Sequence, residues 1–202
     1  MSYSYESALI SQGFSPVAGA DEAGRGASAG PLVAAAVILS GEIAGLDDSK
    51  KLTSRARERL FDQIQASAAA IAVAQVEPWE CDALGLQEAN LQALRRALLK
   101  LDPPAGFALV DGYPLDGLGY PALAIWKGDR VAKCVSAASI VAKVTRDRIM
   151  IGYDEQYPGY GFAVHKGYNT ALHQRALEDL GPCEIHRMSY ANVAKAIRVG
   201  SP

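Results

Sequence analysis

Five short apolar runs restrict the fold of this chain more than any other feature of its sequence. They are PVAGA, LVAAAVIL, AIAVAQV, GFALV and PALAI, and each has the length of a strand. Helix patterns lie among them, at Ser54 to Ala68 and at Glu80 to Lys100, where leucines recur at three- and four-residue steps. Strands that alternate with helices predict an α/β fold with a mixed sheet.

The second half of the chain is predicted to be mostly helical. Residues 132 to 157 form one helix pattern with small residues on one face, and further helices are expected near 170–180 and 189–198. A chain of 202 residues buries about 70 % of the surface that its unfolded form exposes, so one core suffices. We therefore expect a single domain over residues 1–202, with a C-terminal helical extension from about residue 158.

Charge and cysteine content exclude several classes of protein. The chain has 20 basic and 22 acidic side chains, a net charge of −2, which is atypical of a protein that coats nucleic acid by charge alone. Its three cysteines form no CxxC pair, so neither a disulfide framework nor a zinc site is predicted. No signal-peptide pattern and no run of about 18 apolar residues occurs. The expected protein is a cytoplasmic monomer with no contact to a membrane.

Acidic residues follow several of the apolar runs, where a buried strand has no structural need for them. Asp21 and Glu22 follow the first run, Asp111 follows GFALV, and Asp129 closes PALAIWKGD. Carboxylates that converge at one edge of a sheet repel each other unless a cation lies between them. Oxygen ligands favour Mg²⁺ or Mn²⁺, and two such ions suit hydrolysis of a phosphodiester. For any one of these acids, a role as a turn residue or helix cap remains an alternative.

The glycine-rich segment GADEAGRGASAGP allows three interpretations. It could be a simple tight turn, or a phosphate-binding loop, although it matches neither GxGxxG nor the P-loop, and Pro31-Leu32 stands where the P-loop needs Lys and Ser or Thr. In the third, the backbone of Gly24, Arg25 and Gly26 lies against a substrate sugar beside the metal ions. A nucleotide-binding protein that uses this segment is therefore a rival function.

Eight motifs, in order, resemble those of a known enzyme family. They are GADEAGRGASAGPLVAAAVIL, DDSKKLT, GLQEANLQAL, VDGYPL, KGD, VSAASIVAKVTRDR, YPGYGFAVHKGYNT and GPCEIHRMSY. Over residues 16 to 193 the chain resembles bacterial type 2 ribonuclease H, ribonuclease HII. The resemblance implies a ribonuclease H-like fold: a mixed five-stranded sheet flanked by helices, with a small helical C-terminal region.

The resemblance also implies an activity and a set of site residues. The family cleaves the RNA strand of RNA–DNA hybrids and nicks duplex DNA on the 5′ side of a single ribonucleotide, leaving a 3′-hydroxyl and a 5′-phosphate. This begins ribonucleotide excision, and a replication-associated protein partner is an open question. A non-catalytic hybrid-binding module of the same fold is a rival function, but it would be expected to have lost one of the four acids, and all four are present. The implied roles are a two-metal Mg²⁺ or Mn²⁺ centre at Asp21, Glu22, Asp111 and Asp129, binding of the ribose 2′-hydroxyl by Gly24, Arg25 and Gly26, sugar stacking by Tyr168, and phosphate contacts by Lys50 and Lys143.

Some positions depart from the family pattern or compete for a role. Ala27-Ser28 follows GRG where the family usually has proline, and Tyr190 stands where phenylalanine is commoner. Arg146 and Asp147 are expected to form a structural ion pair rather than part of the metal site. The three histidines have no metal-ligand spacing, and ordinary hydrogen-bonded roles are expected for them.

Overall fold

The fold is known from a computed structural model that describes residues 5–46, 49 and 51–199. Lys50, for which a phosphate contact is predicted, lies outside these residues. The elements, in chain order, are α1 (Tyr5–Ser11), β1 (Val17–Ala23), β2 (Leu32–Leu39), α2 (Ser54–Ser67), β3 (Ala68–Val76), α3 (Pro78–Leu84), α4 (Leu86–Leu99), β4 (Phe107–Asp111), β5 (Ala122–Ile125), α5 (Gly128–Val131), α6 (Lys133–Gln156), α7 (Phe162–His165), α8 (Ala171–Leu180) and α9 (Ala191–Val199).

The strands form one mixed five-stranded sheet in the order β3-β2-β1-β4-β5. Strands β1, β2 and β3 pair antiparallel, whereas β1, β4 and β5 pair parallel. The predicted mixed α/β architecture is therefore confirmed. Strand β1 is central and pairs parallel with β4, so the carboxyl ends of these two strands meet at one edge of the sheet.

Helices cover both faces of the sheet. Along β2, Ala34 and Ala36 belong to a core shared with α3 and α4, and Ala35 and Val37 belong to a second core shared with α2 and α6. This is the two-residue alternation of a strand buried on both faces. At Gly19 of β1 the helix backbone comes so close that an added Cβ would lie 2.1 Å from the carbonyl carbon of residue 134. A glycine there lets α6 pack directly on the central strand.

One helix prediction needs correction. The segment from Glu80 to Lys100 is not one helix but two, α3 and α4, divided at Gly85. Gly85 has φ +76°, a left-handed conformation that ends α3 and redirects the chain into α4. The helices predicted at 132–157, 170–180 and 189–198 are present as α6, α8 and α9. Within the described ranges, none of the helices is both long and apolar enough to span a bilayer.

Buried histidines connect the C-terminal helices, and their hydrogen bonds define their tautomers. His173 Nδ1 lies 3.1 Å from the carbonyl oxygen of Tyr168 and so carries the proton, which leaves His173 Nε2 to accept from His186 Nε2 at 3.1 Å. His186 Nδ1 then accepts the N–H of Cys183 at 2.9 Å. The third ring, His165, bonds only to backbone groups. The histidines are thus neutral and hydrogen bonded, as the sequence predicts.

These histidines make the fold sensitive to acid. Burial lowers the pKa of His173 and of His186 to about 4; a charge on His165 would lower the pKa of His173 further, and a charge on His173 would lower that of His186 further. Between about pH 6.5 and pH 4 the unfolded chain therefore binds more protons than the folded one. The free energy of unfolding is expected to fall as the pH drops through this range, by about 1.4 kcal/mol for each unit by which a histidine pKa is lowered. Ring-proton NMR titration checks this directly. A midpoint near 6.5 for either ring would contradict it.

Candidate functional site

Two of the predicted acids lie on neighbouring parallel strands. Ala20 of β1 pairs with Val110 of β4, so Asp21 and Asp111 occupy the next position of each strand at the same edge. Asp21 is buried, with 5 % of its surface exposed, while Asp111 is half-buried. Asp111 Oδ1 accepts the backbone N–H of Gly128 at 2.6 Å. The strand register alone therefore brings these two carboxylates together.

The electrostatic environment of Asp21 disfavours its charged form. Burial raises the pKa of Asp21 well above its usual range, and the negative charges of Glu22 and Asp111 raise it further. Hydrogen bonds from the Ser139 hydroxyl and from the Glu22 N–H, which donates to Asp21 Oδ1 at 2.7 Å, act in the opposite direction. Negative charge is thus concentrated here, in a position where a cation would be strongly favoured.

Asp129 reaches this edge differently from the prediction. It does not end a strand, because β5 stops at Ile125 and Asp129 is the second residue of the short helix α5. Lys127 adopts a left-handed conformation with φ +57°, which turns the chain after the strand. The neighbouring Gly128 N–H then bonds to Asp111, and Asp129 is 4 % exposed. A turn, rather than the end of a strand, therefore precedes this acid, and its neighbour Gly128 is the residue that contacts Asp111.

A cavity of about 370 Å³ opens in front of Asp21. Of the predicted site residues, Asp111 and Asp129 do not line it, and Lys50 lies outside the described part of the chain. Ser49, Ala23 and Ser139 complete the wall. The predicted residues that line the cavity together are Asp21, Glu22, Gly24, Arg25, Gly26, Lys143 and Tyr168.

The Gly24–Gly26 loop is a closed turn. The Ala27 N–H donates to the Gly24 carbonyl oxygen at 3.2 Å, a bond that the family's usual proline could not make. Gly24 has φ +90°, and an added Cβ there would lie 1.9 Å from Nε of Arg146. The loop therefore needs glycine at this position both for its backbone conformation and for its close approach to α6.

Tyr168 is held against this loop by contacts of the preceding backbone. The carbonyl oxygen of Gly167 accepts the N–H groups of Ser28 and Ala29, at 2.9 Å and 3.3 Å. The Arg146 guanidinium lies 5.3 Å from the centre of the Tyr168 ring and Lys143 Nζ lies 5.6 Å from it. These distances are typical of cation–π contacts, so two cations of α6 fix the ring at the cavity wall.

The predicted ion pair of Arg146 and Asp147 is not what the structure shows. Asp147 instead accepts from Lys143 Nζ at 2.7 Å, one helical turn away. Arg146 is fully buried and donates to the carbonyl oxygens of Pro31 and Ala29, each at 3.0 Å, and to that of Lys166 at 2.9 Å. Burial lowers its pKa to about 10. Adjacent helix positions point in different directions, so residue 143 rather than 146 shares a face with 147.

Several residues at the site were not predicted. Ser139 bonds to Asp21 and lies 2.7 Å from the Ser49 hydroxyl. Its four-residue spacing from Lys143, on one face of α6, is a signal that could have indicated it. Arg187 and Tyr190 contact the carbonyl oxygen of Arg25, at 3.2 Å and 2.6 Å. Their position far along the chain carries no such signal.

The donor set fits a hard divalent cation. Among the residues described, no three carboxylate, imidazole or thiol groups stand close enough to enclose an ion by themselves. Mg²⁺ does not need such an enclosure, because it keeps several waters and binds through one or two carboxylates together with substrate phosphates. The buried Asp21, raised in pKa beside Glu22 and Asp111, supplies the oxygen donors and the excess negative charge that such an ion neutralises.

Comparison with known sequences gives a consistent result over almost the whole chain. A family model described as Ribonuclease HII matches residues 18–193. A protein of Cutibacterium acnes named Ribonuclease HII is 60 % identical over 201 residues, which cover 98 % of this chain and 98 % of the relative. A Nocardioides protein of the same name is 56 % identical and is covered to 82 % of its length by this chain.

Solved structures agree with the sequence comparison. Ribonuclease H2 from Pyrococcus horikoshii superposes with a TM-score of 0.78 at 30 % identity, over 91 % of this chain and 97 % of that one. The Archaeoglobus fulgidus ribonuclease HII, solved in complex with PCNA, gives a TM-score of 0.75 at 28 % identity, over 86 % and 94 % of the two chains.

Proposed function

The chain belongs to the ribonuclease HII family and is a ribonuclease H, and from that membership we propose that it cleaves the RNA strand of RNA–DNA hybrids and nicks duplex DNA 5′ of single ribonucleotides. The products would be a 3′-hydroxyl and a 5′-phosphate, which begin ribonucleotide excision. One observation carries the proposal: two acids, the Gly24–Gly26 loop, Lys143 and Tyr168 line a single cavity.

The four acids Asp21, Glu22, Asp111 and Asp129 are proposed to hold two Mg²⁺ or Mn²⁺ ions. When bound, such ions lower the pKa of an attacking water and stabilise the leaving oxygen. The chain prepares the site by burying Asp21 and by holding Asp111 with the Gly128 N–H at 2.6 Å. The Ser139 hydroxyl orients Asp21 from α6, so its carboxylate is fixed before substrate arrives.

The loop and Tyr168 are proposed to recognise one ribose. Backbone groups of Gly24, Arg25 and Gly26 would bond to the 2′-hydroxyl, which is the group that distinguishes RNA from DNA at a single position. Tyr168 would stack on the sugar that follows, where a flat aromatic face disfavours an added hydroxyl. Two observations support this assignment. Tyr168 is the one aromatic side chain among the described residues that line the cavity, and it lies beside the cations of α6.

Two lysines are proposed to contact phosphates of the substrate. Lys143 lines the cavity, and its charge is shared with Asp147 at 2.7 Å. Lys50 remains a prediction from the sequence motif DSKKL, since it lies outside the described residues. Each lysine that neutralises a phosphate releases counterions, so binding is expected to weaken as salt is added.

The wider setting of the enzyme is also a proposal. We infer that residues 1–202 act as one catalytic domain, with a C-terminal helical extension from about residue 158, and that the chain is a monomer. Its substrate, DNA under replication, would place it in the cytoplasm of a bacterial cell. A replication-associated partner is supported by the complex of the Archaeoglobus fulgidus relative with PCNA.

A cleavage assay tests the proposed function. A labelled DNA duplex with one ribonucleotide, incubated with Mg²⁺ or Mn²⁺, is expected to give a single nick 5′ of that residue, and EDTA is expected to abolish it. Asp111→Asn should lower the rate about a thousandfold, since a lost metal ligand removes several kcal/mol of transition-state stabilisation. Asp116→Asn is the matched control, because that side chain is 99 % exposed and bonds only at the surface to Arg95.

Other outcomes would separate the parts of this proposal. Cleavage of long hybrids alone would leave the nuclease assignment but refute the roles of the loop and Tyr168. No cleavage of either substrate with either metal would refute catalysis and favour the hybrid-binding module. Equal loss in Asp111→Asn and Asp116→Asn would argue against a specific metal site.

A further inference from the structure

Two side chains from the C-terminal segment hold the Gly24–Gly26 loop on the side of Arg25. The Tyr190 hydroxyl donates to the carbonyl oxygen of Arg25 at 2.6 Å, and Arg187 Nη1 donates to the same oxygen at 3.2 Å. Nη1 also donates to the Tyr190 hydroxyl oxygen at 3.0 Å, which closes a triangle of three groups. We name Arg187, Tyr190 and the Arg25 carbonyl the Arg25 clasp.

Arg187 is a rigid base for the clasp. Its side chain is fully buried, and its Nε and Nη2 both donate to the carbonyl oxygen of Gly30, at 3.1 Å and 2.9 Å. Its own backbone N–H donates to the Ser28 carbonyl oxygen at 2.9 Å. The planar guanidinium thus spans the loop from residue 25 to residue 30, and it holds both ends at a fixed distance.

The clasp controls the direction of an amide on the other side of the loop. Arg25 and Gly26 are the central residues of the turn closed by the Ala27 N–H and the Gly24 carbonyl. A trans peptide is planar, so the N–H of Gly26 points away from the carbonyl of Arg25. Because Tyr190 and Arg187 hold that oxygen, they also define where the Gly26 N–H points.

We propose that Arg187 and Tyr190 are positioning residues for ribose recognition, acting through the Arg25 peptide on the Gly26 N–H. This inference rests on the proposed function, in which the loop backbone bonds to a 2′-hydroxyl. Neither side chain is among the residues that line the cavity, and the contact of each with the loop is to the Arg25 carbonyl oxygen on its other side. Hydrogen bonds weaken steeply as their angle departs from linear, and a peptide released from the clasp would present its N–H less accurately.

The test compares two tyrosine variants that lose the same kind of bond. Tyr190→Phe removes the hydroxyl bond to Arg25, and Tyr160→Phe removes a hydroxyl bond to the Gly181 carbonyl, at 2.7 Å, in the same C-terminal region. Both should lose similar stability. Only Tyr190→Phe should raise KM for the single-ribonucleotide duplex, about three- to tenfold with kcat little changed, the effect of one neutral hydrogen bond.

Amide hydrogen exchange over residues 24–27 supplies a readout that is independent of activity. Faster exchange in Tyr190→Phe but not in Tyr160→Phe, together with the selective rise in KM, would support the clasp. Equal KM values for the two variants would overturn it. If the wild type cuts no ribonucleotide-containing duplex, the proposed function is refuted, and so is the proposed role of the loop in ribose recognition. Unchanged exchange in both variants would then refute the ordering of the loop as well.

Discussion

Asp21→Asn is expected to lower the cleavage rate by about a thousandfold or more, without lowering the stability of the metal-free protein. Asp21 is buried beside Glu22 and Asp111, and both burial and their charges raise its pKa. A carboxyl whose pKa is higher in the folded than in the unfolded state stabilises the fold at pH values below the unfolded-state pKa. This stabilisation is lost as the pH rises through the folded-state pKa, so at neutral pH the charge of Asp21 destabilises the fold. Asparagine has the same shape, keeps an oxygen for the Glu22 N–H, and removes that charge.

Thermal unfolding and cleavage, measured on the same samples, separate these effects. In EDTA the variant is expected to unfold at the same temperature as the wild type or above it. Added Mg²⁺ should raise the Tm of the wild type, because a ligand that binds only the folded state stabilises it, and should raise the Tm of the variant less. Loss of both activity and metal-free stability would instead indicate that Asp21 is mainly structural.

Arg146→Met is expected to cause a large loss of stability. The guanidinium is fully buried and donates to the carbonyl oxygens of Ala29, Pro31 and Lys166. Methionine fills similar space but leaves three carbonyls without these donors, and each unsatisfied buried group costs about 1–3 kcal/mol. The free energy of unfolding should therefore fall by about 3 kcal/mol or more.

Arg148→Met, two residues further along α6, is the matched control. Arg148 is half exposed and pairs at the surface with Glu58, and such pairs contribute about 0–1 kcal/mol. Urea unfolding of both variants measures the difference. Equal stability of Arg146→Met and Arg148→Met would contradict the prediction. It would mean that the buried guanidinium does not stabilise the fold by joining Ala29 and Pro31, before β2, to Lys166, before Tyr168.

The parts of the site that the sequence predicts well are those set by strand pairing. Asp21 and Asp111 each come directly after an apolar run, and parallel strands bring such positions to one edge. The prediction that Asp129 closes a strand is wrong, because the residue lies in α5 and the left-handed turn at Lys127 has no strong signal in the sequence. Likewise, Gly85 divides a helix whose leucine spacing continues across it.

The contacts that hold the loop could not be predicted in the same way. Arg146 and Arg187 bond to backbone carbonyls, and any residue type supplies a carbonyl, so the partner leaves no pattern in the sequence. Arg25 and Tyr190 lie 165 residues apart and meet only in the folded chain. The ion pair predicted for Arg146 rests on its position in the middle of a helix, where such pairs are common, and that position says nothing about its burial.

The Arg25 clasp has a consequence for the order in which the protein matures during synthesis. The acids at residues 21, 22, 111 and 129 all leave the ribosome well before Arg187 and Tyr190. A nascent chain can pair its five strands while the loop between β1 and β2 still lacks the two side chains that hold it. The loop therefore acquires these two contacts only after the strands that carry the acids have been synthesised.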